Sequence, residues 1–156
     1  MAKSPQYDFQ REEVYRWEQK FQSLQTSPLP VKAFRRMARK ICQHYGLRTP
    51  FIGSLRHKNY AALTYESGDV YFCSAYRGGW LLCHEFAHYV LNEYGYRREF
   101  HGQRWLGLFI YLLDVCELVP LCASVPSARA AGLKFRRPAT CAPGRLRSFL
   151  GQPIGR

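Results

Sequence analysis

The chain has 156 residues, of which 47% are hydrophobic and 15% aromatic, enough to bury a core and too many for a disordered segment. Its formal net charge is +12, and the excess is concentrated in two acid-free intervals. One runs from Glu18 to Glu66 and the other follows Glu117, an imbalance that favours a polyanionic partner, nucleic acid above all.

The most apolar run, Trp105 to Val119, is broken by Asp114 and Glu117 and is too short to span a bilayer, so no membrane partner is expected. The opening MAKSPQYDFQREEVYRW carries no apolar signal core, which leads to the expectation of a cytoplasmic protein. Six cysteines occur without a CxxC pair, and they are expected to be reduced and mostly buried as small apolar residues.

Along the chain, Val14, Trp17, Phe21 and Leu24 are spaced as one face of a helix between Asp8 and Leu24. TSPLP at 26–30 ends it. A second helix is expected from about Pro30 to Tyr45, closed by Gly46. Its apolar face is Val31, Phe34, Ala38, Ile41 and Tyr45, and its other side carries Lys32, Arg35, Arg36, Arg39 and Lys40. Tyr60 to Tyr65 and Val70 to Ala75 read as a β-hairpin across Glu66 to Asp69.

A helix from about Trp80 to Tyr94 follows, with Gly95 as its C-terminal stop. After an extended return another helix runs from Gly102 or Gln103 to about Val119, and a short helical piece is expected at 127–131. The expected fold class is therefore α+β, with a small antiparallel sheet or hairpin packed on helices. Residues 1–135 are expected to form one domain. Residues 136–156, with their prolines, glycines and arginines, are expected to be a loosely ordered basic tail.

Within the third helix lies HEFAH, an HExxH pattern. Residues four apart on a helix project from the same side, so His84 and His88 can offer two imidazole nitrogens to one ion. Glu85 projects beside them and can act as general base on a metal-activated water. A catalytic zinc takes three protein ligands and keeps one position open. The chain passes Gly95 and can return an extended segment to the ion at His101, the preferred third ligand. Glu93, Glu99 and Glu117 are alternatives, with Glu117 the main rival. Leu91 and Tyr94 stand where a metzincin would have its glycine and third histidine. Candidate carboxylates behind the histidines are Asp114 and Glu117, and candidate oxyanion donors are Tyr94, Tyr76 and Arg104. The run from Gly68 to Ala75 is expected to form an edge strand beside the site, where an extended peptide can add.

HEFAH followed thirteen positions later by HGQRW, His101 to Trp105, resembles the SprT-like zinc metallopeptidases over roughly Tyr60 to Val119. With VYRWE at 14–18, the layout also resembles a group of small actinobacterial and phage proteins regarded as metallohydrolases. The resemblance implies a zincin-like core and a bound Zn2+ held by His84, His88 and His101. It also implies Glu85 as base and a protein or peptide substrate. The Cys-rich zinc ribbon of many SprT-like proteins is missing from this chain.

The expected function is thus a zinc-dependent metallopeptidase or metallohydrolase acting on nucleic-acid-associated proteins. Arg35, Arg36, Arg39 and Lys40 supply the nucleic-acid surface. The alternative is a basic nucleic-acid-binding or regulatory protein whose zinc site is structural.

Overall fold

The computed structural model describes residues 8–22, 28–55, 61–65, 67–96 and 100–149. The described residues form a mixed α+β fold. Helices α1 (Arg11–Gln22) and α2 (Val31–Tyr45) precede strands β1 (Ile52–Ser54), β2 (Ala62–Thr64) and β3 (Val70–Phe72). Helices α3 (Gly79–Glu93), α4 (Gln103–Val115), α5 (Leu121–Ala130) and α6 (Pro143–Phe149) follow. No helix among the described residues is long and apolar enough to cross a membrane.

Each expected helix is present, and its ends follow from local chemistry. At the end of α2, Gly46 adopts φ 64 and its N–H returns to the last carbonyls, which only a residue at ease in the left-handed region does cheaply. Gly95, at φ 89, closes α3 in the same way and turns the chain toward Tyr96. Helix α4 stops at Val115, earlier than its apolar run suggests, because Glu117 takes φ 59 and Leu118 N–H bonds back to Leu113 O. The short piece expected at 127–131 is instead the end of the ten-residue α5, which starts after Pro120 and accommodates Pro126.

The sheet differs from the expected two-strand hairpin. β2 and β3 do pair antiparallel, with Leu63 opposite Tyr71, but β1 pairs parallel on the other side of β3. The order β1-β3-β2 makes β3 the central strand, so Gly68 to Ala75 does not provide the edge. The edge on the side of α3 is β2. Ile52–Ser54 escapes a sequence reading because three residues containing a glycine and a serine show no alternation.

Val70 and Phe72 point inward, and the Phe72 ring meets Phe34 of α2 edge-on with centroids 4.6 Å apart. α3 lies at the centre of the fold, with Leu82, Cys83, Phe86, Ala87 and Val90 fully buried. Trp17 of α1, Trp80 of α3 and Phe109 of α4 form a continuous aromatic contact, with successive centroids 5.7 and 4.9 Å apart. All six cysteines are free, and four of them are buried.

Proline and glycine content suggests loose order after Arg136, but the described part of that stretch, to Phe149, is folded against the core. The Arg136 N–H donates to Gln103 O at 3.0 Å, and Tyr45 Oη donates to Cys141 O at 2.7 Å. Cys141 and Leu146 are core residues, so a few apolar side chains outweigh the turn-forming composition. Residues 150–156 lie outside the described residues.

The close approach of this stretch is made possible by Gly107 on α4. A Cβ there would sit 2.5 Å from the Arg136 carbonyl oxygen, a backbone atom that cannot swing away. Gly107→Ala should lower stability by about 1–3 kcal/mol, the usual cost of overpacking. Urea denaturation checks this, and an unchanged midpoint would mean that residues 136–149 do not pack on α4.

Candidate metal centre

Two segments bring the candidate ligands together. His84 and His88 lie one turn apart on α3, and His101 arrives just before α4, where Gly102 caps the helix. Their ligand nitrogens all lie within 4.8 Å of one another. His84 Nε2 and His101 Nε2 are 3.3 Å apart. Two ligands at ~2.0–2.1 Å in tetrahedral directions are separated by about 3.3 Å, so the spacing fits one small ion. These residues can hold a metal.

The outer nitrogens are just as specifically engaged. His84 Nδ1 lies 2.6 Å from Glu18 Oε1 and His101 Nδ1 lies 2.8 Å from Asp8 Oδ1. A carboxylate accepts only, so each pair puts the proton on Nδ1 and turns the Nε2 lone pair inward. Asp8 also accepts from the His101 main-chain N–H at 3.3 Å, fixing the residue and its ring with one carboxyl group. Gln10 completes the arrangement: its amide donates to His101 O at 3.1 Å and to Lys134 O at 2.8 Å, while its oxygen accepts from Lys134 N–H at 3.0 Å. The carboxylates behind the histidines are therefore Asp8 and Glu18, not Asp114 and Glu117.

Asp114 instead caps Leu121 N–H, at 3.0 Å. Glu117 stands in solvent on the turn after α4, paired with Lys40 at 2.9 Å, and so is not the third ligand either. Glu93 is an exposed residue at the end of α3, and Glu99 lies outside the described residues. The signal for Glu18 was present in the sequence. It sits four residues after Val14 and next to Trp17, on the buried face of α1, where an unpartnered acid would be costly.

Trp105 forms the floor. Its ring lies 4.7, 5.1 and 4.6 Å from the rings of His84, His88 and His101, and it is fully buried. Tyr15 lies against the same cluster, 6.0 Å from the His84 ring and 5.0 Å from His101, and is 38% exposed. The other tyrosines have different surroundings: Tyr94 Oη donates to Tyr45 O at 3.3 Å, and Tyr76 is exposed. The Arg104 guanidinium stacks over Tyr96, 4.9 Å from its centroid.

Glu85, the residue after His84, is also buried. Thr64 of β2 donates to Glu85 Oε2 at 2.5 Å, joining the edge strand to the site.

Burial and charge set the protonation of the metal-free cluster. Burial alone would push His84 down, but the Glu18 carboxylate, by charge and hydrogen bond, raises it above its ordinary value, with Glu85 adding to this. Burial and the charges of His84 and His101 hold His88 well below the ordinary range. His101 is lowered to about 4 by burial and the charge on His84, despite Asp8. Glu85 is raised, chiefly by burial, against the opposing effects of His84 and Thr64.

Compared with protein-family models, curated proteins and solved structures, the chain gives no significant match.

Two predictions follow from this geometry. Glu18→Gln and Asp8→Asn should each weaken metal affinity by about 10–100-fold without removing a ligand, measured by competition with a chelating dye. Affinity equal to wild type in both would make these contacts incidental.

In the metal-free protein, His88 and His101 stay neutral when folded, so the unfolded chain binds more protons as pH falls below 6.5. His84 has the opposite sign: its contribution is complete below 6.5 and is lost as pH rises through its raised value. Below pH 6.5 His84 is charged in both states and adds no slope, so His88 and His101 make the metal-free protein lose stability as pH falls from 6.5. Glu85, whose raised value lets the folded state take up its proton earlier, opposes them. Urea midpoints in chelator at pH 7 and 5 check the sign.

Proposed function

We propose that this chain is a zinc-dependent metallopeptidase with a zincin-like core, in which His84, His88 and His101 hold the ion and Glu85 is the general base. The observation that carries the reading is the convergence of three imidazole nitrogens, two of them from the helix that also carries the buried Glu85. Three imidazoles, two of them held as Nδ1–H tautomers by Glu18 and Asp8, form a donor set suited to zinc. The zinc ion would supply Lewis acidity, lowering the pKa of a water to roughly 7.

The chain's own residues supply the rest. Glu85 takes a proton at the oxygen not held by Thr64, and its raised affinity for protons suits it to the task. Later it returns that proton to the departing amine. Tyr15 is the phenol we assign to the developing oxyanion, because its ring lies against two of the three histidines and part of it reaches solvent. Among the described residues nothing pairs with the outer edge of β2, beside α3, so an extended peptide can add there as a strand, with Thr64 linking that edge to Glu85. The resemblance of HEFAH and HGQRW to SprT-like peptidases supports the same reading. The net charge of +12 supports substrates associated with nucleic acid.

The second reading, a basic binding protein with a structural zinc, rests on the burial of His84 and His101, 6% and 5% exposed. Glu85→Gln separates the two. In a peptidase it should retain zinc and reduce cleavage of an unfolded protein substrate by about 10²–10⁴-fold. Tyr15→Phe should retain zinc and lower kcat by about 10²-fold. A wild-type protein that holds zinc and cleaves nothing, with Glu85→Gln indistinguishable from it, would favour the structural site.

A further inference from the structure

A second surface, away from the histidines, combines aromatic rings with cations that make no ion pair among the described residues. The sheet has two faces. Val70, Phe72 and Thr64 point toward the helices, and by alternation Tyr71 and Leu63 point outward. Continuing the register one step beyond the strands puts Phe51 and Tyr65 on that outer face as well.

The three rings form a row. Phe51 and Tyr71 have centroids 5.8 Å apart, and Tyr71 and Tyr65 are 5.3 Å apart. Phe51 is 62% exposed and Tyr65 49%. Gly53 lies opposite Tyr71 on β1, and a Cβ there would run into the Tyr71 and Phe51 rings. The glycine lets both rings lie across the strand. Two large aromatic side chains held in water at this exposure cost solvation and contribute little to the core.

Phe51 also forms one wall of a groove of about 640 Å³ between α2 and β1. Its other lining includes Lys32, Arg35 and Arg39, together with Pro50, and no acid. All three cations are exposed, and none makes an ion pair among the described residues. The groove also receives the N-terminal end of α2, through Val31 and Lys32, where the helix dipole adds positive potential. Lys40, on the same helix, is paired with Glu117 and does not line the groove. Among the described residues an acid beside the aromatic row is Asp69, whose main-chain oxygen accepts from Tyr65 N–H and whose Oδ2 accepts from Ser67 Oγ at 3.2 Å.

We propose that this face binds single-stranded nucleic acid, with phosphates along Lys32, Arg35 and Arg39 and unstacked bases on Phe51 and Tyr65. Cations alone would fit any polyanion, and rings alone would fit any apolar partner. Their meeting at Phe51 selects a ligand that alternates anionic groups with flat π-faces. A duplex hides those faces in its stack, so the single strand is the form that uses both halves of the surface. This inference deepens the nucleic-acid part of the function proposed above, but binding can be read without any turnover. Measured on Glu85→Gln, its failure is distinguishable from failure of the peptidase reading.

The test is fluorescence anisotropy of a labelled short oligo-dT against a duplex of equal length. It uses Glu85→Gln as the parent and Phe51→Ala and the double variant Arg35→Gln, Arg39→Gln on that background. Thermal melting confirms that each variant is folded, which is expected because these side chains are exposed. Oligo-dT should bind more tightly than the duplex. Phe51→Ala should weaken it by about tenfold, the usual range for one stacked base. The double variant should weaken it further and flatten the salt dependence by about 0.7 per lost phosphate contact. The proposal is overturned if Phe51→Ala binds oligo-dT like its parent, or if the duplex binds as tightly as the single strand. It also falls if polyglutamate displaces oligo-dT at equal charge, which would point to an acidic protein as the partner.

Discussion

The structure turns on two buried hydrogen bonds from imidazole to carboxylate, His84 to Glu18 and His101 to Asp8. Each carboxylate is buried, Asp8 at 8% and Glu18 at 3% exposure, and taking such groups out of water costs several kcal/mol apiece. Replacing such buried pairs by apolar residues of the same size is often neutral or stabilising, so stability does not account for them. What the carboxylates provide is orientation: they hold two rings with their inner nitrogens 3.3 Å apart, a spacing that suits an ion better than it suits packing. The N-terminal segment is thereby committed to the site. Asp8, Gln10 and Glu18 reach the histidines or their backbone from one short stretch, and Gln10 ties that stretch onward to Lys134.

Rigidity comes from what lies beneath. Trp105 touches all three imidazoles and stacks on Phe109, which meets Trp80, which meets Trp17 beside Glu18. The aromatic layer thus connects the floor of the site to the helix that bears one of its carboxylates. Helix α3 can carry the histidine pair at the centre of the molecule because most of its other positions are apolar and buried. The sheet supports the site from the other side through Thr64 and leaves its own outer face, with its aromatic rings, to solvent.

Much of this was legible in the sequence where the signal is local. Gly46 and Gly95 mark the ends of α2 and α3, and the spacing in HEFAH places two imidazoles on one side of a helix. The return to His101 was legible because seven residues of descent and five of ascent are geometrically sufficient. The partners set by tertiary packing were not. Asp8 and Glu18 lie 93 and 66 residues from the histidines that they hold, and no local period links them. Glu117 looked like a ligand because it follows an apolar run, whereas a left-handed turn sends it to solvent and to Lys40. Likewise, three residues of β1 were too few to register as a strand, yet they move β3 from the edge to the centre.

The central claim is that three histidines form one metal site, and the most direct measurement is metal content per chain. Wild type and His101→Ala would be purified identically, supplied with zinc, desalted and subjected to elemental analysis. The account predicts one zinc per wild-type chain, and a mutant that loses it or holds it far more weakly. Equal zinc in the two proteins would contradict it, because the third ligand would then lie elsewhere. So would a wild-type protein that retains no metal, which would leave the buried histidines and their carboxylates without the ion that their geometry fits.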